Sequence, residues 1–391
     1  MSKKSKQPLI FGKNAGDWSL PVNYTPCRPR FFTVKNIFLT RGSLSSPERI
    51  RFVENICKLY PEAEIFECPD LPHNRIDFAE PDRLSLHQKG KTTLVFGEHK
   101  SAVRFSEEEG NACPNYWHFS PYGFCFYGCN YCYLAGTPGV WHSPSVKIFL
   151  NIEEIIEEME AGATKLRSPI VFYLGKLQDG LALDPLTAYS TILIPFFAQN
   201  KFARQIILTK SAEIDRLLQL EHNQRTIISW SVNPPGVSAR FEQNVPPMED
   251  RIIAMKKCAE AGYPVRAVMM PLIPVPNWEK IYSRFAQLLI RAAPIQRLTL
   301  GGICIYQNAL KLMDMKMTRK NDISLKIDRS TKLKDGRARY SRSLRVKMYS
   351  HIIKTVREIK PGLELALCLE EASVRKELGL EGRIGRCNCV L

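Results

Sequence analysis

Three cysteines, Cys125, Cys129 and Cys132, sit in one short stretch, Cys125-Phe-Tyr-Gly-Cys129-Asn-Tyr-Cys132-Tyr-Leu134. Thiolates this closely spaced can hold three irons of a [4Fe–4S] cluster and leave the fourth iron without a protein ligand. An open iron is where a small chelating molecule can bind. A zinc site instead wants four ligands, usually from two paired half-sites. The nearest extra candidates, Cys113 and His118, stand at no usual zinc spacing. A disulfide with a spare cysteine needs an oxidising compartment. The N-terminus, Met-Ser-Lys-Lys-Ser-Lys-Gln-Pro, is charged and has no apolar segment behind it, so it does not read as a signal peptide. The expectation is therefore a reducing cytoplasm, where the chain's twelve cysteines point to metal or redox chemistry.

The elements that must position this loop come from a chain of 391 residues, room for one large α/β barrel or two modest domains. No apolar run approaches the length that crosses a bilayer, so no membrane partner is expected. The net charge of +16 draws the chain towards polyanions, nucleic acid first among them.

In order, residues 1–30 read as a flexible basic arm. Residues 31–110 read as a small N-terminal α/β segment, with a strand over Phe31–Leu39 and a helix starting at Ser45-Ser46-Pro47-Glu48. Short strands follow at Ala63–Phe66 and Thr93–Phe96. Residues 111–310 alternate strand and helix: strands at Trp117–Phe119, Ile170–Leu174, Gln205–Leu208, Thr226–Ser231, Val265–Met270 and Leu298–Ile303, and helices near 152–161, 184–198, 211–219, 248–261 and 278–291. Six alternations predict an α/β fold, a partial (β/α)6 TIM-like barrel, with its chemistry at the C-terminal strand ends. The cysteine loop follows the first of these strands. Residues 311–391 read as a C-terminal extension: a basic insertion, a helix over 342–359, a strand over Leu363–Cys368 and the tail Arg386-Cys387-Asn388-Cys389-Val390-Leu391.

Within the extension, residues 316–347 hold twelve Lys or Arg against three Asp. Such a run is either a solvated loop or a phosphate-contacting insertion. Cys304, after Gly301-Gly302-Ile303, is expected at a barrel strand end, facing the cavity or buried as a small hydrophobe. Cys387 and Cys389, with Cys304 or Cys368, are a candidate second cluster site. Ser/His/Asp constellations are not evident among only seven histidines.

The cysteine spacing closely resembles the signature of the radical S-adenosylmethionine (SAM) enzymes. In that superfamily the amino and carboxylate groups of SAM occupy the free iron, and an electron from the cluster releases a 5′-deoxyadenosyl radical. Beyond the loop the chain resembles the spore photoproduct lyase family from about Lys91 to Trp278. Lys91-Thr-Thr-Leu-Val-Phe-Gly97, Phe149-Leu-Asn-Ile-Glu-Glu-Ile155, Leu208-Thr-Lys210, Trp230-Ser-Val-Asn233, Ala261-Gly-Tyr-Pro264 and Met270-Pro-Leu-Ile273 carry the resemblance. It implies Cys125, Cys129 and Cys132 as cluster ligands, with Tyr131 near the adenine. It implies that Lys210 and Ser231 hold the carboxylate and ribose end of SAM, and that Tyr131 and Tyr133 relay a hydrogen atom. A reductase such as flavodoxin or ferredoxin would supply the electron.

One departure matters. The family's cysteine that returns a hydrogen atom to the product radical falls in Phe172-Tyr-Leu-Gly-Lys-Leu-Gln-Asp179, where this chain has Lys176. A lysine N–H bond is too strong to quench a carbon radical. Lys176, Gln178 and Asp179 are instead candidates to bind polar or anionic substrate groups, and Cys304 is a candidate replacement donor. The resemblance thus implies a radical SAM enzyme of lyase or isomerase type acting on a thymine-type base in DNA. The reaction would be repair of a cross-linked pair or rearrangement of a modified thymine. Radical chemistry on a small molecule or peptide is the alternative, and a non-catalytic metal module binding nucleic acid a third reading.

Overall fold

The computed structural model describes residues 18–108, 110–328, 336–381 and 386–391. Most of the predicted basic arm, and Arg329, Lys332 and Lys334 of the basic insertion, lie outside these.

The first sheet runs in the order Glu64–Glu67, Asn36–Leu39, Thr93–Gly97, Val146–Phe149, Tyr122–Gly123. Its pairings are parallel except the last. The helix Pro47–Cys57 begins where expected, its Ser46 side chain accepting from the Arg49 N–H at 3.3 Å. It buries Phe52, Val53 and Ile56. Two strands of this sheet come from beyond residue 110, on either side of the cysteine loop. The loop is therefore tied at both ends to the small sheet.

The second sheet is the barrel wall. Tyr116–Phe119, Ile170–Leu174, Ala203–Thr209, Thr226–Ser231, Val265–Met269 and Arg297–Leu300 follow one another in chain order, all parallel. Runs rich in Ile, Val and aromatic residues make these strands because both faces are covered. A seventh strand, Glu364–Leu367, extends the wall beside Arg297–Leu300, and Val103–Ser106 pairs antiparallel at the opposite edge. The edges do not close by a ladder. Instead the Ala112 N–H donates to the Glu370 carbonyl at 2.9 Å. Across the same gap Arg339 donates to the Leu369 carbonyl at 3.0 Å and the Asn111 side chain at 2.7 Å. The partial barrel thus carries a laced seam.

Several elements differ from the expectation. The helix over 211–219 is only a 3-10 turn at Leu217–Gln219. Thr209 and Ser211 side chains capture the Ser211 and Glu213 N–H groups at 2.8 and 3.1 Å, so the backbone is satisfied without a helix. The helix over 184–198 is two, Asp184–Thr187 and Ser190–Gln199, and the Asp184 carboxylate receives both the N–H and the hydroxyl of Ser190. The strand expected over Leu298–Ile303 stops at Leu300, because the Gly302 N–H goes to the Tyr349 hydroxyl at 2.7 Å. Cys304 therefore begins a separate short strand, Cys304–Tyr306, paired with Arg337–Arg339, and does not end a barrel strand. A helix not foreseen, Gln307–Met317, follows it. Among the described residues, no helix is long and apolar enough to cross a membrane.

The basic insertion is not one solvated face. Arg337, Arg339 and Arg345 are buried and turned inward. Arg345 makes a two-bond pair with Glu370, at 2.9 and 3.0 Å, and the Tyr349 hydroxyl donates to the same carboxylate at 3.0 Å. This fastens the helix Arg342–Ile359 to the seam. Removing one member of a buried pair leaves the other charge uncompensated, so Glu370→Gln is expected to lose about 3–5 kcal/mol in a denaturant titration. Arg342→Ala, which breaks an exposed pair with Glu377, is expected to cost under about 1 kcal/mol. Equal costs would mean that the buried pair does not hold the seam.

Candidate functional site

A cavity of about 510 Å³ is lined by the three motif cysteines and by strand-end residues of the barrel. Backbone geometry sets the cysteine loop over it. Gly128–Cys129 pairs antiparallel with Glu242–Gln243. Lys91 donates to the carbonyls of Cys125 and of Tyr127, the latter at 2.7 Å. After Cys132 the chain makes a 3-10 turn, Tyr133–Gly136, against the helix Gln307–Met317. Gly136 permits that approach: a Cβ there would meet Tyr306 Cβ at 2.7 Å and the Ala309 nitrogen at 2.8 Å.

Beneath the loop lies a buried ionic cluster. Glu242 and Arg251 pair at 2.6 Å with both side chains fully excluded from solvent. The Tyr131 and Ser238 hydroxyls donate to the same carboxylate, Ser238 at 2.8 Å. Burial alone would raise the Glu242 pKa, but Lys210 and Arg251 outweigh it and hold the carboxyl below the ordinary glutamate value. Burial likewise works against the Lys210 ammonium, yet Glu242 and the Cys129 sulfur keep its pKa above the ordinary lysine value. Lys210 stays charged at the cavity wall and donates to Ser231 Oγ at 2.8 Å. The two residues end adjacent strands in register, Thr209 opposite Trp230.

Asp179 organises the backbone beside Lys210. Its Oδ1 accepts from the Leu181 and Ala182 N–H groups and the Thr209 hydroxyl at 3.0, 2.9 and 2.6 Å. Its Oδ2 accepts from the Lys210 N–H at 2.7 Å. Asp179 thus fixes the Lys210 backbone while lining the cavity itself. Gln178 donates to the Phe119 carbonyl at 3.3 Å, and its buried Oε1 has no partner among the described residues. Gln178 is also one of the residues that line the cavity.

Lys176 sits in a second ionic cluster. Its ammonium donates to Ser106 Oγ at 2.7 Å and Glu108 Oε1 at 3.1 Å, and Arg337 pairs with Glu108 at 3.0 Å. Burial raises the Glu108 pKa, but Lys176 and Arg337 bring it net below the ordinary value. The chain enters this position through Gly175 at φ +143°, where a Cβ would stand 2.7 Å from Leu208 Cβ. The Tyr133 hydroxyl donates to the Lys176 carbonyl and the Tyr131 hydroxyl to Glu242. The two tyrosines line the same cavity with their hydroxyls fastened to different clusters. Cys304 is buried and also lines it.

The donor set fits an iron–sulfur cluster. The cysteines are soft ligands on one loop, and burial pushes the Cys129 thiol up to about 12 and the Cys125 thiol higher. Without a cation these thiols stay protonated; a bound metal deprotonates them. Among the described residues no three metal-ligating side chains, this triad included, already converge on a point. Sequence reading missed Glu242, Arg251 and Glu108, which carry no local motif and meet their partners only in the folded barrel.

Comparison with known proteins agrees with this architecture. A family model described as "Spore photoproduct lyase" matches residues 37–340. The spore photoproduct lyase of Bacillus subtilis (strain 168) is 29% identical over 226 residues, 57% of this chain and 64% of that protein. That of Clostridium acetobutylicum is 29% identical over 196 residues, 50% of this chain and 56% of the relative. The chain thus spans less than two thirds of the length of the curated relatives it matches. Among solved structures, a spore photoproduct lyase complexed with dinucleoside spore photoproduct superposes with a TM-score of 0.75 at 21% identity, covering 87% of this chain and 100% of that one. A mutant lyase with bound AdoMet and dinucleoside spore photoproduct gives 0.74 at 21% identity, over 87% and 99% of the two chains. The family match takes in the small sheet, the cysteine loop and the barrel together: the chain belongs to the spore photoproduct lyase family.

Proposed function

We propose that this chain is a radical SAM enzyme acting on a thymine-type base in DNA. The observation that carries the reading is the cysteine triad set over a strand-end cavity beside the charged Lys210. Cys125, Cys129 and Cys132 would hold a [4Fe–4S] cluster. With SAM bound, that cluster supplies a 5′-deoxyadenosyl radical by reductive carbon–sulfur cleavage, the electron coming from a reductase such as flavodoxin or ferredoxin. Lys210 pairs with the SAM carboxylate, since an ammonium at a strand end suits that anion. Ser231, at 2.8 Å from Lys210, offers its hydroxyl to the ribose end. Tyr131 packs at the adenine and is kept in place by Glu242. Gln178, on the cavity wall, offers its amide to a pyrimidine edge. Lys176, paired with Glu108 on the cavity wall, presents positive charge to phosphate or to a charged substituent.

A net charge of +16 supports a polyanionic substrate. So does the dinucleoside spore photoproduct in the solved relative. Lys176 cannot return a hydrogen atom, which favours rearrangement of a modified thymine over cleavage of a cross-linked pair. Cleavage would need another donor, and Cys304 is the candidate on the cavity wall.

Anaerobically reconstituted protein given SAM and dithionite is expected to form 5′-deoxyadenosine, and Cys129→Ala none; product formation by the variant would remove the triad from the mechanism. DNA binding by gel shift is expected to weaken at least about tenfold between 50 and 200 mM salt, and no binding at either salt would favour a small molecule or peptide. In Glu242→Gln, SAM binding is expected to weaken because Lys210 loses its counter-charge. A lowered folded pKa gives stability that is present above the unfolded value and is lost as pH falls through the folded one. The wild-type chain is therefore expected to lose stability on acidification more steeply than Glu242→Gln, measured by denaturant titration across the carboxylate range. Parallel slopes would show that Glu242 is not held ionised.

A further inference from the structure

Eight of the twelve cysteines line the single cavity described above. The motif uses three, and Cys304 begins the short strand Cys304–Tyr306. That leaves Cys113, Cys368, Cys387 and Cys389. Cys113 precedes the first barrel strand and Cys368 follows the last, and the seam bond from Ala112 to Glu370 brings their segments side by side.

The tail carrying Cys387 and Cys389 enters the barrel and packs on Tyr116, Tyr173, Ile206 and Ile227. Inward-facing side chains hold its backbone. Arg297 donates to the Cys387 and Val390 carbonyls at 2.7 and 2.9 Å, and Arg266 to the Val390 carbonyl at 2.6 Å. Ser229 bonds to the Asn388 side chain at 2.8 Å. Both thiols are thereby presented to the cavity, and the Cys389 N–H donates to Cys387 Sγ at 3.3 Å. N–H bonds of this kind stabilise metal-bound sulfur.

A second observation points to an anion at this place. Arg375, fully buried on the helix Ala372–Glu377, donates to the Leu367 carbonyl at 2.6 Å through Nη2. Its Nε and Nη1 have no partner among the described residues. Its charge acts on the sulfurs of Cys113 and Cys387. A buried guanidinium needs a compensating anion. Neutral thiols do not provide one; four thiolates on a metal centre do.

We propose that Cys113, Cys368, Cys387 and Cys389 bind a second iron–sulfur cluster on the cavity wall, separate from the one the motif would hold. Structural zinc sites are closed and favour paired C-x2–4-C half-sites. Here the tail pair is C-x-C, the other two cysteines come from separate segments, and the site opens on the cavity. Tyr133, Cys132 and Cys389 line the same cavity. A substrate in the cavity would thus lie between the two centres.

The test is anaerobic reconstitution of the full chain with iron and sulfide. Iron is expected above the ~4 per chain that one [4Fe–4S] cluster contains. The triple variant Cys125→Ala/Cys129→Ala/Cys132→Ala is expected to form no 5′-deoxyadenosine yet to keep an electron paramagnetic resonance signal after reduction. Cys387→Ser/Cys389→Ser is expected to lose only the excess iron. The triple variant leaves the barrel floor untouched, so its signal decides the matter even where the tail variant misfolds. No iron–sulfur signal in the triple variant, zinc in place of iron at the four cysteines, or a Cys387–Cys389 disulfide without metal would each overturn the assignment. SAM cleavage by the wild type without excess iron would sink this inference alone and leave the proposed activity standing.

Discussion

Glu242 carries a negative charge with no water around it, and that is possible only because Arg251, Lys210, Tyr131 and Ser238 surround it. Taking a carboxylate out of water is expensive unless paired charges and hydrogen bonds replace the lost hydration. Each replacement here comes from a different element: the cysteine loop, a barrel strand end, and the helices Pro235–Phe241 and Met248–Glu260. Glu242 also pairs through its backbone with Cys129. One side chain therefore ties the loop, the wall and the ammonium at the cavity into a single unit. Displacing any member exposes the others to the desolvation penalty.

The Glu108 cluster repeats the same balance on another part of the wall. Lys176 and Arg337 share one carboxylate there; at Glu242, Arg251 pairs directly and Lys210 acts through its charge. In both, burial works against a carboxylate that cations from separate segments of the chain hold below its ordinary pKa. Lys176, Arg337, Lys210, Tyr133, Tyr173 and Ile303 all line the one cavity. Lys176 is fixed there by Ser106 and Glu108.

The barrel strands were legible because runs such as Gln205-Ile-Ile-Leu208 and Thr226-Ile-Ile-Ser-Trp230 are apolar on both faces and bounded by polar residues. The Ser46 cap and the long amphipathic helices were legible for the same local reason. The motif cysteines were legible through spacing alone. Arg337, Arg339 and Arg345 were not: a basic residue looks solvated in sequence, and its carboxylate or carbonyl partners lie far away along the chain. Glu242 and Arg375 escaped notice likewise, since nothing within a few residues marks either as buried. The stretch 211–219 failed differently, through serine and threonine side chains that compete locally with helix formation.

The seam between the first and last barrel strands has a consequence for how the molecule comes into being. Ala112 meets Glu370, and Asn111 meets Arg339, across more than two hundred residues of chain. Contacts so distant in sequence form late, after the local strand–helix units, because the loop they close is entropically costly. Until then the cavity has an open side. The lacing of the seam is what closes that side. The cysteine loop is thus made early, and the wall that shelters it is completed last.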